Sequence, residues 1–408
     1  MQRRNYIVLM TRRILSSFFN GLSQQYIDLY IVKLGASIID LGVYRSFAGF
    51  ISAFISSGLG FAADLWGRKK TYIIGMLLEI ISIVFFALAF DWKFAIIGLI
   101  LSMVAFFGLS NVENILIADS TKSKKRAFGF GMVWSLSTLA ASFSPMVAAF
   151  VINRFGGLTV QGIKPVFYLQ LSGLIIAMFM ASIFIQDIIA RKNYKKYKET
   201  IKESVEMLRR RKWLQRWVLI EVLGGYVFSS TMPYQMIYAV TIKEADEFIL
   251  GYMGTASNLA TIAISPIIGK MADRYGRVKT LLLFRPFFYI SMMIFLMTPS
   301  PLFLVIAWAL RGIFYASASV FQTIVMELVP KEYRGRWLGI KNLITILGRS
   351  PAPIIGGFLY YNYFPELPFI MAVLVDLLIR APLISSIPET LNRKEYLRQF
   401  VAVSDRIS

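Results

Sequence analysis

The 408-residue chain contains neither cysteine nor histidine. The lack of cysteine excludes disulfides and thiolate nucleophiles, and the lack of both residues excludes zinc sites built from them. Without histidine, proton transfer near neutral pH has to use other groups, above all carboxylates. We therefore expect no bound metal, no cofactor and no enzymatic activity.

Charged residues are also scarce, at 16% of the chain, whereas a soluble domain has about a quarter. Hydrophobic residues make up 57%, and the mean hydropathy is +0.61. This composition predicts a multi-pass protein of the cytoplasmic membrane. A bilayer-spanning helix takes roughly 20 residues, which leaves room for about twelve spans.

Twelve apolar segments follow one another along the chain, separated by polar loops. They lie at approximately 13–34, 38–62, 71–90, 94–119, 127–153, 165–187, 213–240, 247–272, 279–298, 301–328, 335–361 and 365–388. We expect each segment to form one membrane span.

Lysine and arginine exceed aspartate and glutamate by 44 − 23 = 21. In a soluble protein this excess would suggest nucleic-acid binding, but here the basic residues occur in alternate loops. They cluster in the N-terminus, Arg68–Lys70, Lys122–Arg126, the 188–212 linker, Arg274–Lys279, Lys331–Arg336 and the tail after Arg393. The positive-inside rule then places both termini and the linker in the cytoplasm, and we expect no nucleic-acid partner.

The linker is the longest polar stretch of the chain. Ile201, Val205 and Leu208 recur at helical spacing within a strongly basic background. The pattern predicts an amphipathic helix that lies on the inner membrane face and binds anionic lipid.

A charged motif occurs twice, as GFAADLWGRKKTY at residues 60–72 and as GKMADRYGRVKTL at residues 269–281. Other landmarks repeat at nearly the same offset: Gly42 with Gly251, Asp119 with Glu327, and Arg126 with Arg334. A parallel duplication of this kind is typical of transporters, with the solute site near the membrane midplane between the repeats. We therefore divide the chain into a six-helix bundle at 1–187, the linker at 188–212, and a second bundle with its tail at 213–408.

The pattern Gly-x-x-x-Asp-x-x-Gly-Arg-Lys between the second and third spans resembles motif A of the major facilitator superfamily. The resemblance implies an all-α membrane protein with twelve transmembrane helices in two pseudosymmetric six-helix bundles. Spans one, four, seven and ten are then implied to line the central cavity. Spans three, six, nine and twelve are implied to support the bundles from outside.

The resemblance also implies that the motif forms a charge cluster on the cytoplasmic side. Such a cluster locks the inner gate while the protein faces outward and breaks when the protein opens inward. The residues that carry this implied role are Gly60, Asp64, Gly67, Arg68 and Asp119 in the first half, and Gly269, Asp273, Gly276, Arg277 and Glu327 in the second. From their positions alone, we expect Arg68 to pair with Asp119, and Gly67 to form a tight turn.

Ionisable side chains inside a membrane span cost several kcal/mol, so each one indicates a function or a buried partner. Candidates for proton coupling are Glu113, Asp28 and Glu221, in that order. Candidates for the substrate cavity are Gln24, Gln25, Arg45, Asn111, Asn114, Arg311, Tyr315 and Arg349.

The partners of these charges are only partly predictable. We expect Asp28 to pair with Arg45, since both lie near the outer ends of their spans. Arg311 and Arg349 are candidates to hold an anionic group of the solute, and the alternative for Arg311 is a pair with Glu113 across the cavity when it closes. Glu79, Arg285, Asp376 and Arg380 lie on supporting spans. Asp376 and Arg380 are one helical turn apart, so a structural role is favoured for this pair.

The direction of transport is indicated only weakly. Drug–proton antiporters of the superfamily usually carry G-x-x-x-G-P-x-x-G-G in span five and an arginine in span four. Here span five reads STLAASFSPMVAAF and the arginine is missing, although span eleven reads GRSPAPIIGG.

Three functions remain open, in a fixed order of preference. The first is a proton-coupled exporter of lipophilic compounds. The second is a proton symporter or facilitator for a sugar, an organic anion or another metabolite. A membrane enzyme or a non-transporting sensor comes third, since the gate charges are intact. A monomer suffices for one site between two bundles, and we expect a monomer.

Overall fold

The computed structural model describes residues 2–121, 126–186, 206, 208–209, 212–329 and 334–390. Within these ranges, the side chains of residues 2–3, 56–66, 111, 126–128, 334–336 and 339 are outside the description. Most of the predicted linker helix and the basic C-terminal tail lie outside the described residues. The described part of the chain is helical throughout, with connecting loops and no strand.

The first half forms the first six predicted spans. Its helices are α1 (Gln2–Ser23), α2 (Ile27–Lys33), α3 (Ile38–Trp66), α4 (Arg68–Ala87), α5 (Trp92–Asp119), α6 (Arg126–Arg154) and α7 (Val160–Phe184).

The second half repeats this order with more interruptions. Its helices are α8 (Lys212–Ser229), α9 (Met232–Thr241), α10 (Glu247–Tyr275), α11 (Arg277–Leu283), α12 (Arg285–Met297), α13 (Phe303–Ala316), α14 (Ala318–Glu327), α15 (Arg334–Arg349), α16 (Ala352–Asn362), α17 (Leu367–Val375) and α18 (Ala381–Ser385), with a π-helical turn at Asp376–Arg380 before α18.

Ten helical segments in the described ranges are long and apolar enough to cross a membrane. The other two predicted spans are the first and the seventh, and each is divided into two helices: α1 with α2, and α8 with α9. The all-α, twelve-span fold predicted from the sequence is therefore confirmed.

The breaks in spans one and seven occur at polar residues. Span one is interrupted at Gln24–Tyr26, directly after Ser23 ends α1. Span seven is interrupted at Ser230 and Thr231, and Pro233 then occupies the first turn of α9, where its missing N–H costs no hydrogen bond. Both broken spans belong to the set that the family resemblance places around the central cavity.

The start of the first span differs from the prediction. The hydropathy pattern places it near residue 13, but α1 already begins at Gln2. Arg12 therefore lies inside the bundle with 1% of its side chain exposed, and does not belong to a basic N-terminal segment in water. Its charge is accommodated because carboxylates on neighbouring helices meet it.

The duplicated motif forms the same turn in both halves. Gly67 joins α3 to α4 with φ 98°, and Gly276 joins α10 to α11 with φ 109°. Only glycine adopts this backbone conformation at little cost, so the predicted tight turns are confirmed. The backbone at Gly60 and Asp64 is helical, but their side-chain surroundings lie outside the described residues.

The two halves contact each other where helices from the repeated units cross. A Cβ atom at Gly42 of α3 would lie 2.8 Å from the Pro353 carbonyl oxygen of α16. A Cβ atom at Gly251 of α10 would lie 2.9 Å from the Ala149 Cβ and 3.0 Å from the Pro145 carbonyl oxygen of α6. The repeated glycines thus allow two equivalent close contacts between the halves.

These contacts lie on one side of the membrane. Gly42 and Gly251 are about one helical turn from the starts of α3 and α10. Those helix ends adjoin the loops with few basic residues, which we call the less basic side. Hydrogen bonds between the halves lie on the same side: Asn153 Nδ2 donates to Glu247 Oε1 over 2.7 Å, and the Ile354 N–H donates to Ser46 Oγ over 3.0 Å.

Replacing Gly251 with valine should separate the halves on the less basic side, because the new side chain has no space against Ala149 and Pro145. Overpacking of this kind costs about 1–3 kcal/mol. We expect the Gly251→Val variant to gain a population with a longer distance between spin labels at Lys93→Cys and Asn362→Cys, measured by double electron–electron resonance.

Gly131→Val is a matched control on α6, the helix that Gly251 contacts, because no heavy atom lies within 4 Å of a Cβ at Gly131. The chain has no native cysteine, so only the introduced sites carry a label. Unchanged distances in Gly251→Val would contradict this account of the contact.

Candidate functional site

The charge cluster of the first motif contains the predicted ion pair. Arg68, the first residue of α4, pairs with Asp119, the last residue of α5. Asp64, which the resemblance assigns to the same cluster, is a residue whose side chain lies outside the description. The pair joins spans three and four, both of which belong to the first half.

The second motif forms a larger network than the sequence predicts. Arg277 pairs with Asp273 one turn before it, and its Nη2 atom lies 3.5 Å from Glu327 Oε1. Glu389, which follows the last span, accepts hydrogen bonds from the N–H groups of Arg277 (2.7 Å) and Val278 (3.0 Å). Thr390 Oγ1 donates to Glu327 Oε2 over 2.6 Å.

Glu389 supplies the carboxylate that stabilises the N-terminus of α11, where the backbone amides carry partial positive charge. Sequence reasoning missed this residue because it lies more than 100 positions from the motif, and only its position after an apolar span set it apart. Both motif networks lie within one half each. They are formed in a conformation in which the halves contact each other on the less basic side, and their role as a latch stays a prediction.

Glu113 lies inside the first half, in contact with groups from three other positions. Its Oε1 atom accepts hydrogen bonds from Arg12 Nη1 and Tyr72 Oη, both over 2.7 Å, and its Oε2 atom pairs with Arg13. Glu113 therefore faces the interior of the bundle, and its carboxylate is not open to the cavity in this conformation.

Arg12 connects Glu113 to a second carboxylate. Its Nη2 atom donates to Glu79 Oε2 over 3.1 Å, and Asn20 Nδ2 donates to Glu79 Oε1 over 2.8 Å. Two carboxylates and two arginines thus form one neutral cluster inside the first half. The sequence placed Glu79 on a supporting span, and the link to Glu113 depends on Arg12, whose burial the sequence did not predict.

The polar residues near the break in span one have different surroundings. Asp28 pairs with Arg45 as predicted: Asp28 Oδ1 lies 2.6 Å from Arg45 Nη2 and accepts from Arg45 Nε over 2.8 Å. Gln24 is exposed, whereas Gln25 Nε2 reaches the Leu250 carbonyl of the second half over 3.4 Å. Arg45 is therefore engaged near the less basic side and is not a free cavity group.

A cavity of about 200 Å³ lies in the second half, next to the contact with the first. Its lining residues are Glu221, Gly224, Gly225, Phe228, Phe321, Thr345, Arg349 and Arg380. Glu221 is engaged, because Lys341 Nζ lies 2.5 Å from its Oε2 atom and Trp217 Nε1 donates to its Oε1 atom over 2.9 Å. Two predicted site residues, Glu221 and Arg349, thus share one cavity.

Arg349 is the charged group of this cavity that reaches the other half. Its guanidinium carbon lies 5.5 Å from the ring centroid of Phe107 on α5, within range of a cation–π interaction. Among the described residues, Arg349 forms no ion pair. Asn114, seven positions after Phe107 and so on the same face of α5, is exposed, and the side chain of Asn111 lies outside the description.

Arg311 does not line this cavity, and it is not paired with Glu113 in this conformation. Its side chain is 1% exposed inside the second half, where Nη1 donates to Gln235 Oε1 over 2.8 Å and Nε to Ser291 Oγ over 3.3 Å. The guanidinium stacks on Trp308 at 4.2 Å from the ring centroid. Tyr315 lies nearer the cavity, with its ring 6.1 Å from that of Phe228.

The charges of span twelve form a group of three. Arg380 Nη1 lies 3.0 Å from Asp376 Oδ1, as predicted, and Arg285 of span nine pairs with the other carboxylate oxygen. One carboxylate thus meets two guanidinium groups. In the described part of the chain, no group of three or more carboxylates is placed to hold a metal ion.

The fold and the site define a class of protein: a multi-pass transporter built from two repeated halves, and not an enzyme. The family model described as the Major Facilitator Superfamily matches residues 7–246 and 226–389. The chain belongs to this superfamily.

Similar proteins differ in what their names say they transport. Multidrug resistance protein MdtG of Escherichia coli is 24% identical over 374 residues, which cover 88% of this chain and 89% of that protein. The nucleoside transporter NupG has a TM-score of 0.75 at 14% identity, covering 94% of this chain and 98% of its own. A D-xylose-proton symporter has a TM-score of 0.73 at 13% identity, covering 95% and 98%. The structural similarities establish the fold alone.

Replacing Glu113 with glutamine should destabilise the first half strongly, because Arg12 and Arg13 would lose the carboxylate that both of them contact. Breaking a buried ion pair in this way costs about 3–5 kcal/mol. We expect a lower thermal unfolding midpoint for purified Glu113→Gln in detergent. Glu366→Gln is the matched control, since Glu366 accepts one hydrogen bond from Tyr238 Oη and glutamine can still accept it. Equal midpoints for the two variants would contradict this interpretation.

Proposed function

We propose that this transporter exports lipophilic compounds from the cytoplasm in exchange for protons. The observation that carries the proposal is the aromatic surrounding of the cavity near the contact between the halves. Phe228 and Phe321 line it, and Phe107 lies against Arg349 from the opposite half. Aromatic rings suit the apolar part of a lipophilic solute, and Glu221, Thr345, Arg349 and Arg380 supply polar groups in the same cavity. The similarity to MdtG, which is described as a multidrug resistance protein, supports the same class of solute.

We further propose that the halves are the two moving bodies, residues 1–187 and 213–408, and that the basic side faces the cytoplasm. The positive-inside rule supports this orientation. The contacts at Gly42 and Gly251 then close the outer side. Opening to the outside requires these two contacts to separate together.

A second candidate is an organic anion as the solute, favoured by the charge of the second half. Arg349 lies in the cavity without an ion pair among the described residues, Arg311 is bonded to neutral groups, and Arg380 shares Asp376 with Arg285. Positive charge without a matching carboxylate attracts an anion and repels a cation. A guanidinium also recognises a carboxylate through paired hydrogen bonds.

The sign of proton movement tests the first proposal. Purified protein is reconstituted in liposomes with a trapped pH dye, and tetraphenylphosphonium, D-xylose and benzoate are added outside one at a time. An antiporter releases protons as solute enters, so we expect the lumen to become alkaline with the lipophilic probe. Acidification would indicate symport and contradict the exporter.

Arg349→Gln separates the two candidate solutes in the same assay. If an anion binds at Arg349, the response to benzoate falls at least about tenfold in this variant. This change corresponds to the free energy of one charge-assisted hydrogen bond. The response to the cation persists in this variant. Arg154→Gln, at the exposed end of α6, is the control. An undiminished benzoate response in Arg349→Gln would contradict the anion site.

We propose that the paired charges of motif A restrain opening on the basic side. Arg68→Gln removes the pair with Asp119, and should shift the protein toward the inward-open state. Spin labels at Lys70→Cys and Lys279→Cys, exposed and equivalent positions of the two halves, report this opening as a longer distance. Arg154→Gln again serves as the control. If Arg68→Gln leaves the distance distribution unchanged, the charges are static anchors.

A further inference from the structure

A chain of hydrogen bonds runs through the first half from the break in span one to Glu79. Ser23 Oγ donates to Gln170 Oε1 over 2.5 Å, and Gln170 Nε2 donates to Asn20 Oδ1 over 2.7 Å. Asn20 Nδ2 then donates to Glu79 Oε1 over 2.8 Å. Three helices contribute to it: α1 provides Ser23 and Asn20, α7 provides Gln170, and α4 provides Glu79.

Each hydrogen bond in this series is donated in the direction of Glu79. An ionised carboxylate only accepts hydrogen bonds, so it requires the Asn20 amide to turn its NH₂ group toward it. Asn20 then presents its oxygen to Gln170, and Gln170 presents its own oxygen to Ser23. The charge state of Glu79 thus fixes the orientation of two amides and one hydroxyl.

We propose that Glu79 is the residue that binds the transported proton, and that its protonation reverses this chain and reaches the break in span one. A protonated Glu79 donates its O–H to Asn20 Oδ1. Asn20 then donates to Gln170, Gln170 donates to Ser23 Oγ, and the Ser23 hydroxyl is released to donate elsewhere. The proton comes from water and binds one carboxylate oxygen, so no other bond is made or broken.

Glu79 suits this role better than Glu113. The Glu79 side chain is 17% exposed, against 2% for Glu113, so Glu79 is the more accessible of the two carboxylates. Glu113 contacts two arginines and Tyr72, whereas Glu79 is bound by one arginine, at the longer distance of 3.1 Å. When Glu79 takes up a proton, Arg12 keeps Glu113 as its partner. Protonation of Glu113 would remove the carboxylate that Arg13 contacts.

The other charged groups around Glu79 are already matched. On α1 the facing charges are Arg12 and Arg13, and on α5 the facing charge is Glu113. On α7 the facing group is the neutral Gln170, while Tyr168 donates to the Ala87 carbonyl at the end of α4. On α3 the ionised Arg45 is held by Asp28. On α4 itself Tyr72 donates to Glu113.

Protonation of Glu79 affects the backbone, because the chain of hydrogen bonds ends at the break in span one. Ser23 is the last residue of α1, and its carbonyl accepts the Tyr26 N–H over 2.8 Å across the break. A change in the bonding of the Ser23 hydroxyl therefore acts where α1 and α2 meet. Gln25, within the same break, contacts Leu250 of the second half. The proton site and the contact between the halves are thus linked through one interrupted helix.

This inference rests on the proposed proton coupling, and a solute-free experiment tests the two separately. Purified full-length protein carries spin labels at Lys70→Cys and Lys279→Cys, and the distance distribution is recorded between about pH 3 and about pH 9, a range that brackets ordinary and perturbed carboxylates. In the labelled parent protein, which carries no other substitution, we expect two populations of distances whose proportions depend on pH. Glu79→Gln, a neutral mimic of the protonated acid, should hold the low-pH population at every pH.

Three further variants make the result specific. Glu366→Gln, a matched substitution outside the cluster, should titrate like the parent. Glu79→Asp restores a carboxylate and should recover a pH response, which a purely structural loss in Glu79→Gln would not predict. Gln170→Leu interrupts the chain and should abolish the response while Glu79 remains.

Each contrary outcome contradicts one part of the proposal. A Glu79→Gln variant that titrates like the parent overturns Glu79 as the proton site, while proton coupling by another group stands. A Gln170→Leu variant that titrates normally overturns the hydrogen-bonded chain. Populations that are independent of pH in the parent protein overturn the proton-coupled function itself.

Discussion

The structure depends on the bonding of buried charged groups within each half. A membrane interior offers no water to an isolated charge, so each ionisable side chain in a span requires a partner close by. Arg12, Glu79 and Glu113 meet inside the first half, and Arg285, Asp376 and Arg380 inside the second. Because these groups are bonded within their own half, the halves can move against each other without breaking these contacts.

The contact between the halves uses a different kind of interaction. Gly42 faces Pro353, and Gly251 faces Pro145, in two equivalent close approaches of backbone to backbone. Pro145 and Pro353 are 353 − 145 = 208 residues apart, which matches the offset of the duplicated landmarks. A contact of small residues involves no charge and can form and separate at modest cost. The charged contacts thus keep each half rigid, whereas the contact of small residues between the halves allows the halves to move.

The sequence pattern predicted the contacts of a site residue only where its partner was near in sequence or fixed by the repeat. The pairs Arg68–Asp119 and Asp28–Arg45 are both present, because residues at the same end of adjacent spans have few other partners to choose from. Arg311 was misassigned, because a position on a cavity-lining span does not fix which face of the helix a residue occupies. Glu389 and Arg12 were missed, because their partners lie roughly 60 to 110 residues away.

The sequence by itself determined the membrane class, the twelve spans, the duplication and the glycine turns at Gly67 and Gly276. These follow from hydropathy, spacing and the backbone restriction that only glycine escapes, all of which are local properties. The tertiary structure alone decided that Arg12 connects Glu79 to Glu113, that Arg349 reaches Phe107, and that Ser23, Gln170 and Asn20 align toward Glu79. The physical reason is that hydrogen bonds and ion pairs depend on helix rotation and packing, which bring together side chains far apart in the chain.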